Sequence, residues 1–270
     1  MLIIDKINAL WQSITFGTKF VLLSSILCCI LDVLTNDILF DLFVDVPNKT
    51  FNQFELWRLL IPQFFHGNVY NLIISLLGFL LCAIEVEKSY GTIPFFCDIF
   101  FTNLIIQAIY VLLCFSLQKL SIEAMDSQSF GFWNITFIYM LNKGLTDQDD
   151  YQKFLCFPFY IPSKYYPAAF FLIMNLIEFP RLDLIAATLF AFIEYQLFDG
   201  FMMKLSKNKG FVTGIEHSFP FKYIQSRQDF ITCDQVNHPF MSEEAKMSQY
   251  HLEIGTISTT ETRVQDQQQI

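Results

Sequence analysis

Between Ile93 and Leu117 the chain runs for twenty-five residues with one charged side chain, Asp98, in an otherwise mostly apolar stretch. A helix crossing a bilayer needs roughly 20 mostly apolar residues, at 1.5 Å of rise each over about 30 Å of hydrocarbon. Two further windows meet that length, Phe16–Leu34 and about Val69 to Val86. The first is expected to be a span and not a cleaved signal peptide, because it is too long and no small-residue cleavage site follows. Three weaker windows follow: Phe130–Leu141, Tyr165–Phe179, and Leu182–Phe201 with Asp183, Glu194 and Asp199 inside it. Short or polar spans are tolerated where neighbouring helices shield them. The expectation is an all-α membrane protein, a bundle of six transmembrane helices over residues 1–204.

Composition agrees with the windows. Apolar residues make up 53% of the chain and charged ones 16%, against about 25% charged in a typical soluble domain. The net charge of −9 argues against nucleic acid as a partner, since phosphate neutralisation needs clustered Lys and Arg. The bilayer is the partner to expect. Lys6, Lys19, Lys88, Lys143, Lys153, Lys164 and Lys204 fall on one side of the predicted spans, and Lys49, Arg58, Lys119 and Arg181 on the other. That bias places both termini in the cytosol. Asn48-Lys49-Thr50 is then a glycosylation sequon in the first luminal loop.

From residue 205 the hydrophobic runs stop. Six basic and eight acidic residues follow from Lys207 onward, among Gln, Ser, Thr and Asn. Such a composition buries too little apolar area to offset ordering entropy, so 205–270 reads as a disordered cytosolic tail. Its aromatic clusters "SFPFKYI" and "HPFMS" are candidate motifs for cytosolic partners. The chain contains no Cys-x-x-Cys pair, so neither a metal nor a cofactor is expected.

The most specific pattern begins ahead of the second window. Trp57-Arg58 precedes an interfacial apolar stretch, His66-Gly67 opens the span, and Glu87 stands four residues before Gly91-Thr92. This arrangement resembles the rhomboid superfamily, whose members share a Trp-Arg in the first loop, a His-Gly at the second span and a Glu-x-x-x-Gly-Thr after it. The resemblance covers about Trp11 to Lys204. It implies a six-span fold with a Ser nucleophile on the fourth span, a His base on the sixth and polar groups on the second. In this sequence the Ser position, two residues after Gly131, holds Trp133, and the His position holds Leu184. Of the second-span polar pattern only His66 is kept, with Asn71 and Ser75 at the others.

The loss is also legible without the family. The chain has four His residues; His217, His238 and His251 lie in the tail, leaving His66 alone among the spans. A Ser nucleophile needs a base within hydrogen-bond reach. Ser129 could supply a hydroxyl, but no base is evident. No catalytic residue is therefore expected: Trp133 would fill the site with an indole, Ala187 and Ala191 would let the sixth helix approach its neighbours, and His66 would hold the loop by hydrogen bonds. Glu194 is costly near a bilayer centre and is expected to pair with a bundle hydroxyl such as Thr188 or Thr136, to be protonated, or to snorkel at the cytosolic end. Asp98 is expected to be solvated.

Inactive members of the superfamily resemble proteins that bind transmembrane clients for quality control or trafficking, and a non-catalytic role of that kind in the endoplasmic reticulum or another secretory membrane is the expectation. The alternatives are an active intramembrane serine protease, a derlin-like retrotranslocation factor, or a small transporter with Asp98, Glu178, Asp183 and Glu194 along one path.

Overall fold

The computed structural model describes residues 8–9, 11–119, 124–146, 151–153, 160–177, 179–194 and 209–236. Three long helices come first: α1 (Phe16–Leu34) and, after a long loop, the pair that carries most of the apolar sequence. That loop contains two short helices, α2 (Ile38–Phe43) and α3 (Pro47–Asn52), and two 3-10 turns at Leu56–Leu59 and Pro62–Phe64. Then follow α4 (Val69–Tyr90) and α5 (Thr92–Gln118), separated by one residue. That residue, Gly91, has φ 95° and ψ 162°, a region open in practice only to glycine. It ends one helix and starts the next with no loop between them.

These three helices, of 19, 22 and 27 residues, are long and apolar enough to cross a membrane. The expected fourth, fifth and sixth spans are shorter: α6 (Trp133–Thr146) has 14 residues, α7 (Tyr166–Ile177) 12 and α8 (Leu182–Ile193) 12. Three of the described helices, not six, thus meet the length criterion. Part of the sixth window, 195–201, lies outside the described residues. A small antiparallel hairpin, β1 (Tyr151–Lys153) and β2 (Tyr160–Pro162), precedes α7.

The helix α6 is central. Phe132 through Met140 are all buried, and α4, α5, α7 and α8 all pack against it. Its position explains the weak hydropathy of that window: Asn134 and Thr136 face protein, not lipid. The helix α1 shows the same logic. Thr18, Ser25 and Asp32 are buried while Phe20, Leu23, Leu27 and Ile30 are exposed, the reverse of a soluble helix. Small and polar groups inside permit close helix approach, and the large apolar ones meet lipid. Ala187 and Ala191 on α8 are both buried, with α5 and α6 packed against that helix.

Residues 209–236 differ from the expected disordered tail. They form α9 (Lys209–Glu216), α10 (Phe221–Ile224) and a 3-10 turn at Cys233–Gln235. Val212, Phe230 and Cys233 are buried in a cluster with Ile93 at the start of α5. Averaging over the whole tail hides this, because a few well-placed apolar residues suffice when a helix end supplies the rest of the core. The same compact unit extends through Val236. Residues 237–270, including His238 and His251, lie outside the described residues.

Candidate functional site

Two buried polar clusters stand at opposite ends of the bundle. The first centres on Glu87 in the last turn of α4, a fully buried residue. Its carboxylate accepts the backbone amides of Gly17 and Thr18, each at 2.8 Å, the Thr18 hydroxyl at 2.9 Å and the Thr15 hydroxyl. Thr92 at the start of α5 donates at 2.8 Å to Oε1, the oxygen that also takes the Gly17 amide. The first amides of a helix have no intrahelical partner, and Thr15 at the N-cap of α1 makes no capping bond to its own helix. A carboxylate from α4 does that work, where the helix dipole also favours negative charge. A Cβ on Gly17 would stand 3.0 Å from that carboxyl and 2.9 Å from the Phe95 ring. Glu87 and Gly91-Thr92, singled out by spacing, are thus a joint that ties three helices together.

The second cluster lies where the first loop meets the start of α6. Arg58 is buried and donates to the carbonyls of Asp41 at 2.8 Å and Val44 at 2.7 Å, and through Nε to Glu55. Trp57 is partly exposed and donates its indole N–H to Leu42 O at 3.1 Å. The Trp-Arg pair therefore folds the loop back on itself. The next segment, at Asp45, pairs with Ser129 through two backbone hydrogen bonds of 3.2 and 3.0 Å. The Thr50 hydroxyl donates to one Asp45 oxygen. Burial pushes the Asp45 carboxyl up to about 7, with the Thr50 bond and the Arg58 charge pulling against it.

Ser129 is fully buried, and its hydroxyl oxygen accepts Gln107 Nε2 at 3.0 Å and Asn134 Nδ2 at 3.3 Å. Two residues on, Gly131 has φ 75°, and its amide donates to Pro62 O at 3.2 Å. A Cβ there would meet the His66 ring at 3.2 Å, so a glycine lets the imidazole lie against this turn. Gly67 sits beside the ring of Phe40. Ser75 accepts the amide of Phe132 at 3.1 Å, and the Asn71 backbone amide is capped by the Asn68 side chain at 2.8 Å.

Around Ser129 the polar groups are not satisfied. Both amide atoms of Gln63, both ring nitrogens of His66, Gln107 Oε1, Asn134 Oδ1, Thr136 Oγ1 and Asp45 Oδ2 are buried and have no hydrogen-bond partner among the described residues. His66 does not hold the loop by hydrogen bonding as expected; it packs against Gly131 instead. Burial holds its ring down at about 4, offset only in part by the nearby Phe64 backbone, so it is a neutral imidazole at ordinary pH. Each unmet buried polar group costs about 1–3 kcal/mol, and orphans in one region of a bundle mark a place where something else supplies the partners. The sequence reading missed Gln63, Gln107 and Asn134. Their signal was present: uncharged amides inside or beside apolar runs, where each must face protein.

The cluster holds buried hydrogen-bond donors and acceptors. The two groups bonded to Ser129 are carboxamides, which cannot take its proton. The Asp45 carboxyl is bonded to Thr50 and not to the Ser129 hydroxyl. At the positions of the family dyad stand Trp133, whose ring lies 6.2 Å from that of Phe170 on α7, and Leu184, fully buried on α8. The helices carrying them pack together.

Three other charged residues are buried, one of them, Asp98, against expectation. Asp98 is buried, not solvated, and accepts Thr102 at 2.9 Å and Tyr139 at 2.8 Å. Glu194 is buried within electrostatic reach of Asp98. The Thr188 hydroxyl is spent on Leu184 O, and that of Thr136 has no partner among the described residues, so neither serves Glu194. Asp183 is locked in a two-bond pair with Arg181 at 2.9 and 2.7 Å. Glu178 lies outside the described residues.

Residues 16–193 match the model of a family described as "Eukaryotic integral membrane protein (DUF1751)". No curated protein and no solved structure matches the chain.

Proposed function

Because the chain belongs to the DUF1751 family of eukaryotic integral membrane proteins, we propose that it is a rhomboid-like pseudoprotease, a non-catalytic membrane protein that binds or routes transmembrane clients. The observation that carries this reading is a set of buried amide atoms without a partner among the described residues, Oε1 of Gln107 and Oδ1 of Asn134 beside Ser129 and both atoms of Gln63, with no base bonded to Ser129 among those residues. A protease would place a proton acceptor there. A binding protein needs donors and acceptors held in a low-dielectric site, where a polar group on an incoming helix can meet them. The Trp-Arg, His-Gly and Glu-x-x-x-Gly-Thr motifs support the rhomboid-like part, with α6, α7 and α8 taken as the short fourth, fifth and sixth spans. Clients would be transmembrane segments carrying a polar group. The lysine distribution supports termini in the cytosol, and a secretory membrane such as the endoplasmic reticulum is the location that goes with this reading.

The test compares the full chain with the Gln63→Leu/Asn134→Leu double variant by isolating each from membranes after in-cell cross-linking. The expected result is loss of co-purifying membrane proteins at unchanged abundance of the chain itself. Cleavage of a model transmembrane substrate that Ser129→Ala abolishes, or fluorophosphonate labelling that the same change removes, would overturn the reading.

A further inference from the structure

We propose that residues 209–236 are an interfacial lipid anchor, holding Phe211, Phe219 and Tyr223 in the headgroup–acyl boundary on the Phe16 side of the membrane. The depth of the segment is fixed by hydrogen bonds to the first residues of two spanning helices. The Phe16 amide, at the start of α1, donates to Asp229 O at 2.8 Å. Thr92, at the start of α5, donates its amide to Ile231 O at 2.9 Å and accepts the Ile231 amide on its hydroxyl at 3.0 Å. Lys19 pairs with Asp229 at 2.7 Å. A segment bonded to the first residues of two apolar helices sits at the level where the hydrocarbon begins.

At that level its side chains divide. Val212, Phe230 and Cys233 turn inward to Ile93, with Phe16, Ile215 and Ile224 packed around them. Phe211, Phe219 and Tyr223 turn outward, 53%, 83% and 74% exposed, and the last two meet edge to face at 6.2 Å. Exposed rings at the end of a span are what the interface favours, since an aromatic body partitions into the boundary while its polar neighbours stay wet. The surface continues that of α1, where Phe20, one turn further in, is exposed and stacks edge-on with Phe96. Trp11 lies at the same end, with Lys19 Nζ 5.6 Å from its ring centre.

Charge identifies the lipid region. Within 209–236, Lys209, Lys222 and Arg227 are cancelled by Glu216, Asp229 and Asp234. Arg227 is further engaged by Asp229 at 2.9 and 3.1 Å. Counted by itself, the segment has no surplus of positive charge for anionic headgroups. The anchor therefore rests on ring partitioning and takes zwitterionic lipid as well as anionic lipid.

The experiment places a tryptophan at the tip, Phe219→Trp, in the full chain reconstituted into nanodiscs of phosphatidylcholine brominated near the carbonyl end of the acyl chain, with and without phosphatidylserine. Emission of the unsubstituted protein is subtracted to remove Trp11, Trp57 and Trp133. The expected result is blue-shifted added emission, quenched to the same degree in both lipid mixtures. Red, unquenched emission would overturn the proposal, as would blue emission that bromine does not quench, which means a protein cover. Quenching only with phosphatidylserine would overturn it too, in favour of an anionic-headgroup site. Tyr223→Trp gives the same readout if the first variant does not assemble.

Discussion

The carboxylate of Glu87 caps a helix to which it does not belong, accepting the amide of Gly17 at 2.8 Å across a sequence separation of seventy residues. One buried group thereby fixes where α1 begins against α4, and through Thr92 where α5 begins as well.

Glu87→Gln keeps the size but halves the acceptor capacity that five donors share. It is expected to destabilise the protein by about 2–3 kcal/mol, as for loss of hydrogen bonds to a charged group. Gly17→Ala raises helix propensity yet is expected to destabilise by about 1–3 kcal/mol, because the added methyl overlaps Phe95 and Glu87. Thermal unfolding of the detergent-solubilised chain measures both. An unchanged midpoint for Glu87→Gln would contradict the capping role.

Arg58→Lys retains the charge but cannot reach Glu55 and two loop carbonyls at once. A loss of about 1–3 kcal/mol is expected. Limited proteolysis between Ile38 and Gln53 should accelerate, while cleavage elsewhere stays constant.

Asp45 and His66 load the first loop with opposite pH dependences. The Asp45 carboxyl titrates at about 7 when folded against an ordinary value of 3.8, so the folded state holds its proton more tightly. Its contribution to stability is greatest below about pH 4 and is lost as pH rises to about 7. The His66 ring titrates at about 4 when folded against 6.5, so stability is lost as pH falls from about 6.5 toward 4. Asp45→Asn is expected to raise the unfolding midpoint at pH 7.5 more than at pH 5. His66→Gln is expected to flatten the fall on the acid side. Parallel pH profiles for the variants and the unsubstituted chain would refute both assignments.

Thr92→Val removes the hydroxyl that joins Glu87 to the Ile231 amide while keeping the shape. The expected cost is about 1–3 kcal/mol. Protease cleavage around Ser218–Gln228 should quicken, since the segment then hangs on fewer bonds. Mass spectrometry of the fragments reports it.

The long helices were readable because length and apolar content decide them: Phe16–Leu34, Val69–Tyr90 and Thr92–Gln118 nearly coincide with the windows. The spacing from Glu87 to Gly91-Thr92 flagged a real joint, but not its partners at Thr15, Gly17 and Thr18, because the bonds run between distant segments and carry no local signature. Asp98 shows the same limit. Its position near a helix end suggested water, whereas Thr102 and Tyr139 reach it only in the packed bundle. The amides of Gln63, Gln107 and Asn134 could be flagged as polar groups within or beside apolar runs, but which of their atoms stay unpartnered could not, since that is a property of three packed segments and not of one. The fold of 209–236 was missed because its core is completed by Ile93 and Phe16, residues outside the tail.

The one-residue joint and the short helices together shape the surrounding bilayer unevenly. At 1.5 Å per residue α5 extends for about 40 Å, and α7, with Leu172, Leu176 and Ile177 exposed, for about 18 Å. A hydrocarbon core of about 30 Å is shorter than α5, so that helix must tilt or locally thicken the bilayer beside it, which the shorter helices do not require. Embedding a helix of that length costs least where the membrane is already thick. Membrane thickness becomes a variable that can decide where in a cell such a chain accumulates.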